Sequence, residues 1–284
     1  QNPPRRHSID NSPFMRPNVR LSANLSMLFT EAPYLKRFGL AARHGFRAVE
    51  SLFPYGEAPA SAVAAELERH GMEQVLVNAP PGDWAGGERG VAALPDRGGD
   101  HEASLREAFV YAAAIGCPRV HVLAGLRQQG ACEQTFVERL RAAAGEAQSA
   151  GITLCVEALN PSDVPGYLLP SQEDAARVVD AVGHPACGLQ FDLYHLQKAA
   201  ARWPSEAVRC AIRTYAPRAA HVQIAGPEGR HEPDAAAAAA MLALLEEGGY
   251  RGHVGCEYNP AGGTSRGLAW AAAYGIEAPR EEPA

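Results

Sequence analysis

From Asn18 onward, short apolar runs alternate with longer stretches of helical composition. Strand-like runs fall at 19–28, 48–52, 74–79, 119–124, 152–159, 188–194, 220–225 and 254–258. Between them lie Ala-, Glu- and Arg-rich segments such as "TFVERLRAAAGEAQSAG" and "SQEDAARVVDAVG". Gly39, Gly45, Gly71, Gly116, Gly151, Gly183 and Gly249 stand in or near the expected helix ends, where C-terminal caps favour glycine. Eight strands alternating with eight helices predict an α/β fold on a parallel sheet. Residues 18–284 shared among eight units give about 33 each, the scale of a single (β/α)8 TIM barrel. No GxGxxG follows the first strand, which argues against a dinucleotide-binding open sheet, and no linker divides the chain. The alanine-rich "DAAAAAAMLALLEEGG" is expected to form the seventh helix, since alanine is the best helix former. Residues 1–17, Pro-rich and polar, are expected to be a disordered leader or an appended remnant, with Met15 as a candidate natural start. The barrel is then assigned to residues 18–284.

Four of the apolar runs end on an oxygen-bearing side chain: Glu157, Asp192, Gln223 and Glu257. They are 35, 31 and 34 residues apart, about one strand-helix unit each, so they fall on strands five to eight. Strand alternation puts Thr153, Cys155 and Glu157 on one face, and likewise Gly188, Gln190 and Asp192. His221 with Gln223, and His253 with Gly255 and Glu257, follow the same rule, and the small or polar face suits the lumen. The four therefore converge at the C-terminal mouth, the active-site face of such barrels. Three ionised carboxylates cannot crowd together without a counter-charge. Oxygen ligands of this kind suit Mg²⁺ or Mn²⁺ better than Zn²⁺.

Composition narrows the partners. The net charge is −6 and no basic run exceeds Arg5-Arg6, so nucleic acid is not an expected partner. No apolar stretch approaches the ~20 residues of a membrane span, and a signal-peptide core is missing. Six cysteines without a CxxC spacing read as buried reduced thiols in a cytoplasmic protein. A small molecule is the expected partner.

The stretches "LSANLSMLF", "GFRAVESLFPY", "NAPPGDWAGGERG", "VEALNPSDVPGY", "QFDLYHLQ", "HVQIAGPEGRHEP" and "GCEY" resemble the hydroxypyruvate isomerase family, a branch of the xylose-isomerase-like barrels. The resemblance spans nearly all of residues 21–275. It implies a metal-assisted aldose–ketose isomerisation of hydroxypyruvate to 2-hydroxy-3-oxopropanoate through an enediolate. It further implies Glu157, Asp192, Gln223 and Glu257 as metal ligands, with Glu157 and Glu257 as proton donor and acceptor. By the same resemblance His195 touches a substrate oxygen, and pairing as a homodimer or homotetramer is expected. Arg230 is a candidate for the substrate carboxylate, and His231 and Glu232 share its loop. The "PPGDWAGGERG" loop is a candidate lid, with Trp84 excluding water and Arg89 facing the anion. His221 and His253 are expected to be structural histidines deeper in the lumen. The chain departs from the family at the Ala-rich stretch 235–240 and at Asn259, where the family has Lys. Both border the site and bear on substrate choice. A longer 2-oxo-tetronate or other keto-acid or keto-sugar is therefore the alternative substrate. Phosphodiester hydrolysis, known on this barrel type, needs a His-rich multi-metal site and a basic groove. A non-catalytic metabolite-binding barrel is disfavoured by the paired glutamates.

Overall fold

The computed structural model describes residues 19–200 and 205–278; the expected leader lies outside them. Eight parallel strands close in sequential order: β1 (Arg20–Asn24), β2 (Ala48–Ser51), β3 (Glu73–Asn78), β4 (Arg119–His121), β5 (Thr153–Glu157), β6 (Cys187–Asp192), β7 (Ala219–Ile224) and β8 (His253–Cys256). The pairing of β1 with β8 completes the barrel. Outside the strands run α1 (Tyr34–Arg43), α2 (Ala60–His70), α3 (Gly98–Ala114), α4 (Glu133–Ser149), α5 (Gln172–Val182), α6 (Leu193–Ala199), α7 (Glu206–Tyr215), α8 (Ala235–Glu247) and α9 (Thr264–Gly267). Val156, Phe191, Val222 and Val254 alternate with the lumenal residues and are fully buried under this helical layer. The predicted TIM barrel is the observed fold.

The departures have local causes. β1 ends at Asn24, because the amides of Met27 and Leu28 turn back to the Asn24 carbonyl. β6 ends at Asp192, whose side chain accepts the Tyr194 amide and so starts α6 where a longer strand was expected. Two helices, α6 and α7, separate β6 from β7, and after β8 only the one-turn α9 and a 3₁₀ segment follow among the described residues. The alanine-rich stretch forms α8, capped by Asp234 and anchored by buried Met241, Leu242 and Leu245. Gly39 lies inside α1 rather than at its end. Cys117, Cys155, Cys187 and Cys256 are buried free thiols, but Cys132 and Cys210 are exposed, against expectation. No helix among the described residues is long and apolar enough to cross a membrane.

One glycine fixes the loop between β3 and α3. Gly90 has φ +104°, and an added Cβ would stand 2.1 Å from the Leu123 carbonyl oxygen. Gly90→Ala therefore forces this loop off the β4 end, and thermal denaturation should show a loss exceeding about 1 kcal/mol.

Candidate functional site

The lumenal polar residues form two storeys. In the lower one Glu50 of β2 is fully buried and accepts hydrogen bonds from Asn24 Nδ2 (3.2 Å), Ser22 Oγ (3.2 Å) and Gln223 Nε2 (2.8 Å). Its Oε2 lies 2.7 Å from His221 Nε2. Burial opposes ionisation of Glu50, but the His221 charge and these donors hold its carboxyl below the usual range. His221 is thus structural, as expected. His253 sits lower still, 3.3 Å from the outward carboxylate of Glu73.

The upper storey holds Glu157, Asp192 and Glu257, all nearly inaccessible. Glu157 is raised well above the usual carboxylate range, first by burial and then by the charges of Asp192 and Glu257. Burial likewise raises Asp192, and it lifts Glu257 to about 8 against the opposing pull of Arg230. Arg230 is the cation in their midst. Its Nη2 donates to Glu257 Oε2 and lies 3.3 Å from Asp192 Oδ2, while its guanidinium stacks 4.7 Å from the Tyr194 ring centroid. The backbone at Arg230 has φ +51°, rare for a long side chain, and the Asn259 amide bonds its carbonyl at 2.9 Å. This turn aims the arginine back over the strand ends.

The carboxylates are oriented individually. Asp192 Oδ1 accepts the Tyr194 amide at 2.7 Å, leaving Oδ2 to face Arg230 and His195. Glu157 Oε2 accepts from Gln190 Nε2 at 3.2 Å, whereas Oε1 is buried without a hydrogen-bond partner. Gln190 also donates to Gln223 Oε1 at 2.7 Å, so the Gln223 amide is anchored at both ends with one carbonyl lone pair to spare. Oxygens of Glu157 and Asp192 lie within 4.8 Å of each other, Gln190 Nε2 brings the Gln223 carbonyl oxygen beside Glu157, and Glu257 is joined to Asp192 through Arg230. These are oxygen donors of the kind a hard divalent cation takes, and Glu257 would have to be released by Arg230 to join them.

Glu157, Asp192 and His195 also bring one ligand atom each within 4.8 Å of one another. The hydrogen bonds of His195 argue against its serving as a ligand. Its Nδ1 accepts from the Asn160 amide at 3.0 Å, and a backbone N–H can only donate. Burial pushes the imidazole well below its usual pKa, so the ring is neutral. The remaining proton therefore resides on Nε2, 3.7 Å from Asp192 Oδ2 and 3.9 Å from Glu157 Oε1. His195 is a donor aimed into the site.

Above these groups opens a cavity of about 410 Å³, lined by Glu157, His195, Arg230, Glu257, Trp84 and Arg89 together with apolar side chains. Arg89 stacks on Trp84 at 3.9 Å and donates to the carbonyls of Trp84 and Glu88. Trp84 in turn lies 5.4 Å from the Phe53 ring, and the loop is cross-braced by the Glu88–Arg97 ion pair. His231 stands apart: it is exposed and its Nδ1 donates to the Asn259 carbonyl, a contact that stitches two loops outside the cavity. Glu232 accepts the Ala261 amide in the same way.

The sequence patterns single out neither Glu50, Asn24, Asn78 nor His121, and they place Gln190 on the lumenal face without giving it a role. The signal for Glu50 was present in "AVES", an acid in an apolar run, as at Glu157. His121 ends β4; burial lowers its imidazole to about 3, and its Nε2 stands 3.4 Å from Glu157 Oε2.

Comparison with known proteins bears on the family and the fold. Residues 38–274 match the family described as xylose isomerase-like TIM barrel. A 2-oxo-tetronate isomerase from Cupriavidus necator is 42% identical over 261 residues, covering 90% of this chain and 98% of that protein. A hydroxypyruvate isomerase from Escherichia coli is 37% identical over 262 residues, covering 90% and 99%. A crystal structure from Brucella melitensis, described as an AP endonuclease of family 2, superposes with a TM-score of 0.83 at 42% identity, over 90% of this chain and 99% of that one.

Proposed function

The chain belongs to the xylose isomerase-like TIM-barrel family, and on that premise we propose that it isomerises a short hydroxylated 2-keto acid, moving the carbonyl from C2 to C3. The observation that carries this is the pair of buried glutamates, Glu157 and Glu257, that line one cavity from strand ends three strands apart, with Asp192 and Gln223 between them in strand order. The names of the relatives support this reading: hydroxypyruvate and 2-oxo-tetronate share C1 to C3, and the same hydrogen shift interconverts each with its 3-oxo isomer.

In this reading one glutamate takes the proton from C3 and the other returns one to C2, through an enediolate. Glu157, Asp192, Gln223 and Glu257 hold a divalent cation, Mg²⁺ or Mn²⁺, which when bound stabilises the negative charge on the substrate oxygens. That charge would also draw the three carboxyls back toward ordinary values, keeping them ionised at neutral pH. His195 donates from Nε2 to a substrate oxygen. Arg230 offers its guanidinium to the substrate carboxylate, and Trp84 with Arg89 closes the mouth against water.

Endonuclease action, the activity by which the Brucella protein is described, fits poorly here. The net charge is −6 and the candidate centre is oxygen-rich. Turnover of hydroxypyruvate and of a 2-oxo-tetronate, measured after chelation and again with Mg²⁺ or Mn²⁺, tests the proposal. Activity should fall at least about tenfold on chelation and return with the metal, which should also raise the melting temperature. Full activity after exhaustive metal removal, or none on either acid with metal bound, would reject it.

A further inference from the structure

On the far side of the cavity from β7 and β8, two lumenal side chains have polar atoms without partners. Asn78, the last residue of β3, has its Oδ1 buried and unbonded. His121, the last residue of β4, has both ring nitrogens buried and unbonded. The two are register partners across the β3–β4 ladder, and both line the cavity. Buried polar atoms without partners are costly, so two neighbouring residues left so in one cavity wall mark a place where a polar ligand group belongs.

The chemistry of that group follows from the pair. An amide and an imidazole each present a donor and an acceptor, and neither brings a carboxylate or a guanidinium. A hydroxyl, which also donates and accepts, satisfies them in either amide orientation; an anion would gain no counter-charge there. The cations lie elsewhere, at Arg230 and Arg89. Position narrows it further. His121 Nε2 is 3.4 Å from Glu157 Oε2, so this wall begins beside a proton-transfer carboxylate. With the substrate carboxylate on Arg230, which is bonded to Glu257, C2 lies on the Glu257 side and C3 on the Glu157 side. A substituent one bond beyond C3 is therefore directed to this wall, with Leu52 and Leu123 as apolar neighbours in the same cavity.

We propose that Asn78 and His121 form a hydroxyl-recognition site for the C4 hydroxymethyl group of a four-carbon 2-keto acid, selecting it over its three-carbon counterpart. This rests on the isomerase reading for the reacting end and adds the residues that set substrate length. In hydroxypyruvate, which ends at C3, the pair goes unsatisfied, and discrimination arises from that missing hydrogen bond.

The test is Asn78→Ala, with His121→Gln as a second variant. kcat/KM is measured for a 2-oxo-tetronate and for hydroxypyruvate, and binding of threonate, erythronate and glycerate is measured calorimetrically with Mn²⁺ present. In the wild type the four-carbon acids should bind more tightly than glycerate, and Asn78→Ala should erase that difference. The four- to three-carbon ratio of kcat/KM should fall by about tenfold or more. Equal losses on both lengths, or an unchanged ratio, would overturn the assignment. Failure of the wild type to turn over either acid rejects the isomerase reading; the threonate–glycerate difference and its loss in Asn78→Ala still decide the hydroxyl site.

Discussion

Glu257→Gln should lose at least about 10²-fold in kcat while its melting temperature stays within a few degrees of wild type. The amide is isosteric with the carboxyl and its single oxygen still accepts from Arg230 Nη2, while its NH2 replaces the oxygen that accepts from Asn24 Nδ2 at 3.3 Å. The shape at the end of β8 is thus kept at the loss of one long hydrogen bond. Replacing the acid removes a group able to accept or deliver a proton, and it also removes one of the three negative charges that gather a cation. The two effects separate by experiment. If only proton transfer is lost, Mn²⁺ affinity falls modestly and kcat collapses; if ligation dominates, activity returns at high Mn²⁺. Near-wild-type kcat at saturating metal would refute the role given to Glu257.

Glu50→Ala should cost roughly 3 kcal/mol of stability, read as a lowered urea midpoint. The residue has no solvent contact and joins four side chains from β1 and β7 at once. Truncation leaves the imidazole of His221 and the amides of Asn24 and Gln223 facing a void, each short of a partner. Glu50→Gln keeps the shape and part of the bonding, so its loss should be smaller. The Gln223 amide is tethered through Glu50, so the alanine variant should also weaken divalent-cation binding. An unfolding free energy within about 0.5 kcal/mol of wild type would show the network to be dispensable.

Much of this was legible in residue order, for identifiable reasons. Strand period and helix composition marked all eight units, because a buried parallel strand must be apolar outward and can be small or polar only toward the lumen. The four strand-end side chains of β5 to β8 stood out because an acid or amide closing an apolar run has no bland explanation when repeated at one-unit spacing. Boundaries were less legible. Nothing in "QFDLYHLQ" says that Asp192 will turn from strand end to helix cap, since that depends on where the neighbouring strands stop. Glu50 escaped notice because it stands within its strand rather than at the mouth, and its partners are 26 to 173 residues distant. His231 drew attention through its neighbours in "GRHEP", but only the turn with positive φ at Arg230 decides that the arginine faces inward and the histidine outward. Asn78 and His121 carry no local signal at all; their meaning lies in hydrogen bonds they do not make.

Asp192 joins two events that are usually separate. One oxygen closes the first turn of α6, and the other belongs to the charged cluster at the mouth. Fraying of that helix therefore releases the carboxylate, and anything that fastens the carboxylate damps the fraying. The Tyr194 amide, which is bonded to Asp192, becomes a built-in reporter: its rate of exchange with deuterium measures how firmly the centre is assembled. Occupancy of the cavity can thus be timed from the backbone of a seven-residue helix, without watching the substrate at all.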